Sequence, residues 1–115
     1  MNEDPQSCRV LLCTCPPDSA PELAHQLVER HLAACVNIVE RVSSVYFWEG
    51  EVTSDSESLL VIKTSGDRVA ELRDALVSSH PYDVPEVIAL PIVEGHQAYL
   101  DWLVESTRPA SGPEV

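Results

Sequence analysis

Apolar positions change period several times along the chain, and the changes mark out its elements. Arg9 to Cys15 (RVLLCTC) is a short apolar run stopped by Pro16-Pro17, which predicts a strand ending at a loop, since neither proline can donate to a ladder. From Ala20 the period lengthens. Ala20, Leu23, Ala24, Leu27, Val28 and Leu32 recur at helical spacing, while Glu22, His25, Gln26, Glu29 and Arg30 take the other face. Ser19 and Glu22 have the spacing of a capping box, so this helix is expected to start at Ser19. Ala33 to Val39 (AACVNIV) and Ser43 to Trp48 (SSVYFW) are rich in β-branched and aromatic residues and predict one long bent strand. Glu49-Gly50 predicts the turn, and Leu59 to Thr64 (LLVIKT) the returning partner.

Helical spacing returns after Gly66, with Asp67 as the expected cap, Val69, Leu72, Ala75 and Leu76 as the apolar stripe, and Pro81 as the stop. Val84 to Val93 (VPEVIALPIV) predicts a last strand, which Pro85 and Pro91 place at an edge or beside bulges. A short helix follows from about His96 to Ser106, on which Tyr99, Trp102 and Leu103 share a side. In the order β-α-β-β-α-β-α, the first six elements spell the split βαβ arrangement. The expected fold is therefore α+β: a ferredoxin-like βαββαβ sandwich with an additional C-terminal helix. Two helices cover one face of such a sheet. Strands that are apolar on nearly every position leave the other face in need of a cover, so subunit association is expected.

The 115 residues suffice for one domain, expected over 8–107, with flexible tails at 1–7 and 108–115. With one Phe, two Trp and three Tyr, the core has to be built from Val, Leu, Ile and Ala. Seven basic residues against 19 acidic ones give a net charge of −12, which argues against nucleic acid and anionic membranes as partners, because no basic stripe exists to meet phosphates. No apolar run approaches the roughly 20 residues of a membrane helix. The first residues, MNEDPQSC, are acidic and polar rather than a secretory signal, so Cys8, Cys13, Cys15 and Cys35 are expected to be reduced in a cytoplasmic protein.

Five segments together carry a resemblance: LAACVN (32–37), SVYFWEG (44–50), the pair Lys63-Thr64, HPYDVPE (80–86) and YLDW (99–102). In their order and spacing, from about Val10 to Trp102, they resemble the CutA proteins of divalent-cation tolerance. The resemblance implies a homotrimer in which the long hairpin reaches between subunits, and a kinship of fold with the PII signal-transduction proteins, which hold small ligands between subunits. It also implies an inter-subunit cleft lined here by Trp48, Lys63, His80, Tyr82 and Glu86. An aromatic wall, a cation, an imidazole, a phenol and a carboxylate suit a small anionic or amide-bearing ligand. Alternatively, Trp48 and Tyr82 pack the trimer interface, and Lys63 pairs with Glu86 or the hairpin acids. Many members have a Lys after the WEG segment, where this chain has Glu51.

For metal, the resemblance points to Cys13 and His80. Thiolate and imidazole suit copper or zinc, and Cu(II) stands highest among first-row divalent ions for such ligands, so copper is favoured over other divalent cations. Ser79 precedes His80, where some relatives have a second His. Cys13 and Cys15 share a face of their strand, but no second cysteine knuckle completes a zinc site. His25, His31 and His96 are expected in solvent. No glycine-rich phosphate loop, nucleophile elbow or His-Glu-x-x-His pair is present, so neither an enzyme nor an organic cofactor is expected. Two functions follow: a trimer that binds divalent metal in the response to metal ions, or a PII-like trimer that uses its cleft to sense a small ligand or serves as a protein-interaction scaffold.

Overall fold

The computed structural model describes residues 7–109; the expected tails at 1–7 and 108–115 fall almost wholly outside that range. Its strands are β1 (Cys8–Cys15), β2 (Cys35–Trp48), β3 (Glu51–Ser65) and β4 (Ile88–Pro91), and its helices α1 (Ala20–Glu29), α2 (Val69–Ser79) and α3 (Gln97–Ser106), with one 3-10 turn at Gly66–Arg68. The strand order is β2-β3-β1-β4 and every neighbouring pair is antiparallel. This is the ferredoxin-like sandwich with its extra C-terminal helix.

The strand pleat divides the sheet's residues between two environments. Leu11, Cys13 and Cys15 of β1, with Leu60 and Ile62 of β3, face α1 and α2 and pack with Leu23, Leu27, Leu72 and Leu76 into the main core. On the other face, α3 covers one end only, where Leu103 packs on Cys8 and Ala34. Farther along that face Ile88 and Leu90 of β4 remain 50% and 44% exposed. They flank β1 at Leu12 and Val10, which alternation places on the same side.

β2 and β3 form a hairpin that outruns the rest of the sheet. Their pairing shifts register between Val39 and Val42, where Arg41 takes a left-handed φ of 64°. This bulge bends the arm away from the sheet. The arm ends in a two-residue turn at Glu49 (φ 49°) and Gly50 (φ 82°), the doubly left-handed conformation whose twist matches that of the strands. Val45, Phe47, Trp48 and Val52 lie exposed on it. The arm raises the radius of gyration to 15.2 Å, against about 13 Å for a compact domain of this length.

Some expectations from the sequence are revised. β3 starts at Glu51 rather than Leu59, because backbone pairing with β2 carries the polar stretch VTSDSES into the ladder. The last strand shrinks from 84–93 to Ile88–Pro91, since only those residues pair with β1. Ser19 has helical dihedrals and makes no side-chain cap bond, so the capping box does not form. Asp67 does not cap α2 either; it lies in the 3-10 turn and takes hydrogen bonds from Ser65 and Arg108. Of the three residues expected to share a side of α3, Leu103 is buried, whereas Tyr99 and Trp102 stay exposed.

Candidate functional site

The end of β1, the base of the hairpin arm and the segment after α2 meet at one edge of the sandwich. α2 stops at Ser79 because Pro81 disfavours helical dihedrals at the residue before it, and His80 turns extended with ψ 141°. That turn sends the imidazole back to the end of β1. His80 Nδ1 accepts the Tyr82 backbone N–H (3.1 Å), so Nε2 carries the proton and donates to the Thr14 carbonyl (2.9 Å). The Tyr82 ring lies 4.7 Å from the imidazole, centroid to centroid. The Tyr82 hydroxyl donates to Glu57 Oε2 at 2.7 Å, and Glu57 is only 5% exposed. Burial first, and the Glu57 carboxylate second, push the Tyr82 phenol well above its ordinary range.

In front of these groups opens a cleft of about 590 Å³. Tyr46, Trp48 and Tyr82 supply aromatic surface, while Asp55, Glu57, Asp83 and Glu86 supply four carboxylates; no basic residue lines it. Tyr46 donates its hydroxyl to Asp55, which raises the phenol's pKa, and the Thr14 hydroxyl donates to Glu86 Oε1 at 3.4 Å.

Of the five residues expected to line a cleft, Trp48, Tyr82 and Glu86 line this one within one chain, and His80 stands behind Tyr82 without lining it. Lys63 does not line it. It sits toward the opposite end of β3, paired in register with Val10 and Cys35, and its ammonium donates to Asn37 Oδ1 and to Cys35 Sγ (3.8 Å) rather than to Glu86 or a hairpin acid. Glu51 is exposed beside the turn. Glu57, Asp55, Tyr46 and Asp83 were not picked out from the sequence. Glu57 and Asp55 continue the alternation of Leu59 down the strand, a signal hidden by the polar run around them.

Cys13 is fully buried on the helix-facing side of β1, and burial pushes its thiol pKa up to about 12, with Cys15, Glu86 and Glu57 adding to the rise. The thiol points to the Thr14 carbonyl at 3.7 Å, the oxygen that also accepts from His80. The two expected metal ligands thus converge on one backbone oxygen, each already hydrogen-bonded. No group of three His, Cys, Asp or Glu side chains close enough to hold a metal ion occurs among the described residues. A metal ion bound by this pair has to displace the thiol proton and free an imidazole nitrogen.

The family described as "CutA1 divalent ion tolerance protein" matches residues 9–106. The divalent-cation tolerance protein CutA of Thermus thermophilus is 50% identical over 99 residues, spanning 85% of this chain and 96% of the relative. Human protein CutA is 44% identical over 108 residues, and the chloroplastic CutA of Arabidopsis thaliana 53% over 91. These alignments take in 93% and 79% of this chain but only 60% and 50% of those longer proteins. Among solved structures, the Thermus thermophilus protein superposes with a TM-score of 0.85 at 48% identity, covering 88% of this chain and 99% of that one. A "PII-like protein CutA" from Nostoc gives 0.83 at 32% identity, covering 88% and 98%. With sequence and fold agreeing over nearly all the described residues, the chain belongs to the CutA1 divalent ion tolerance family.

Proposed function

We propose that this protein is a cytoplasmic homotrimer that binds divalent metal ions, copper foremost, and acts in the cell's response to them. The family is one of cation-tolerance proteins, not of enzymes. The observation that carries the metal reading is the meeting of Cys13 Sγ and His80 Nε2 on the Thr14 carbonyl, which sets a soft thiol beside an imidazole. Such donors favour copper over the other first-row divalent ions. The trimer is supported by the half-exposed apolar side chains on the sheet face away from α1 and α2, and by β2, an edge strand of 14 residues with an unpaired side. Four free cysteines suit a reducing compartment.

Calorimetric titration with Cu(II) tests the site. Binding is expected to weaken at least tenfold in both Cys13→Ser and His80→Ala. Because the buried thiol must lose its proton, affinity should rise with pH across the neutral range. Affinity untouched by both substitutions would remove the site.

The alternative, a PII-like trimer that senses a small ligand or scaffolds a partner, is favoured by a different observation: the 590 Å³ cleft bounded by Tyr46, Trp48 and Tyr82, which has the size and aromatic lining of a small-molecule site.

A further inference from the structure

Lys63 is the only lysine of the chain, and its ammonium rests against a thiol. We propose that Cys35 and Lys63 are a peroxide-sensitive pair, joined on oxidation by a reversible S–N bond that staples β2 to β3. The inference stands apart from the metal and ligand readings and needs neither.

Cys35 and Lys63 are directly opposite in the β2–β3 ladder, so both side chains leave the same side of the sheet. Lys63 Nζ donates to Cys35 Sγ at 3.8 Å. Asn37, two residues along β2 and on the same side, accepts from both: from the ammonium, and from the Cys35 thiol at 3.9 Å. One amide oxygen thus gathers the nitrogen and the sulfur, and the flexible four-carbon stem of lysine lets Nζ close the remaining gap without moving the backbone. Because the two residues are ladder partners within one chain, assembly into a trimer does not separate them.

Burial sets the other three thiols apart from Cys35. Cys8, Cys13 and Cys15 are buried, and burial raises the pKa of each, that of Cys13 to about 12. A thiol held protonated is a poor nucleophile. Cys35 is only partly buried, and it is the thiol that the lysine touches. Its sulfur attacks one peroxide oxygen; the O–O bond breaks, hydroxide leaves and takes the thiol proton as water, and the sulfur is oxidised to a sulfenic acid. Lys63 then releases a proton to solvent, and its nitrogen attacks the sulfur. The S–O bond breaks, hydroxide leaves with a second proton from the nitrogen as water, and an S–N bond remains. Peroxide is the only oxidant needed, and the chain has lost two hydrogens. An added thiol reverses the bond by attacking the sulfur and expelling the amine; a second thiol frees Cys35 from the mixed disulfide.

For the test, the full chain is treated with hydrogen peroxide, its free thiols are alkylated, and it is unfolded in thiol-free urea and digested with a lysine-specific protease, which can cut only after Lys63. Untreated protein should give two fragments. Oxidised protein should stay largely uncut, with an intact mass, read before alkylation, lower by two hydrogens, and dithiothreitol added before digestion should restore cutting. Cys35→Ser should be cut in full after peroxide, whereas Cys8→Ala should behave as wild type. In Lys63→Arg the sulfenic acid has no amine to meet, so dimedone should trap it at Cys35 severalfold more than in wild type. Cutting after Lys63 that peroxide leaves undiminished overturns the proposal, as does protection that survives in Cys35→Ser. Recovery of Cys35 as a disulfide with another cysteine or as a sulfinic acid, with Lys63 still cut, overturns it too.

Discussion

Two residue pairs tie segments far apart in the chain together through polar contacts. The Tyr82 hydroxyl is the only hydrogen-bond donor to the buried Glu57 carboxylate among the described residues. Tyr82→Phe should therefore cost about 1–3 kcal/mol in urea unfolding, the cost of stranding a buried polar group. At the other end of the sheet, Arg108 donates to both oxygens of Asp67, at 3.0 Å each, and to Ser65, tying the end of α3 to the 3-10 turn. The guanidinium holds the Asp67 carboxyl below its ordinary range. A carboxyl whose pKa is lower folded than unfolded stabilises the fold above the unfolded value, and that contribution is lost as pH falls through the folded value. Asp67→Asn should thus be less stable than wild type at pH 7 and lose less on acidification below about pH 4, as measured by thermal unfolding across pH. Neither pair was legible in the sequence. Tyr82 and Glu57 are 25 positions apart, Arg108 and Asp67 are 41 apart, and no local spacing rule joins them.

Among the elements, those with a buried side were the most legible. α1 and the apolar half of β3 came through because one face of each meets the core, and burial imposes a period of 3.6 or 2 on the residues. The polar half of β3 did not. Both sides of the arm are largely exposed, so no burial pattern marks Glu51 to Ser56, and the backbone ladder with β2 makes the strand. What the arm does require is its turn. Gly50 sits at φ 82° with nothing within 4 Å of an added Cβ, so Gly50→Ala meets a backbone penalty of about 1–2 kcal/mol and no clash. Faster amide exchange confined to the arm, with the α1–α2 core unchanged, is the expected reading. The proline-flanked last strand was overextended for a related reason: apolar composition ran from Val84 to Val93, but only Ile88 to Pro91 enter the ladder with β1, and Ile92 adds a single backbone bond to Cys8.

For the whole molecule, the uncovered sheet face bears on how the protein exists in solution. Sedimentation equilibrium should give three times the 12.6 kDa chain mass, and a mass of one chain would overturn the proposed trimer. Leu90→Asp, on the open face opposite Val10, should yield monomers with a lower melting temperature, because a buried charge there has no partner and the monomer loses the stability that association adds. By itself the sequence determined the order of elements, the ferredoxin-like class, the family and the exposed turn of the arm, because periodicity, turn chemistry and motif spacing are local or ordered along the chain. The tertiary structure alone decided that Lys63 stands apart from Trp48, Tyr82 and Glu86, that Cys13 and His80 share one carbonyl, and that Glu57 is buried with a single donor. Those depend on which strands lie side by side and in what register, and register is settled by contacts between residues far apart in the chain.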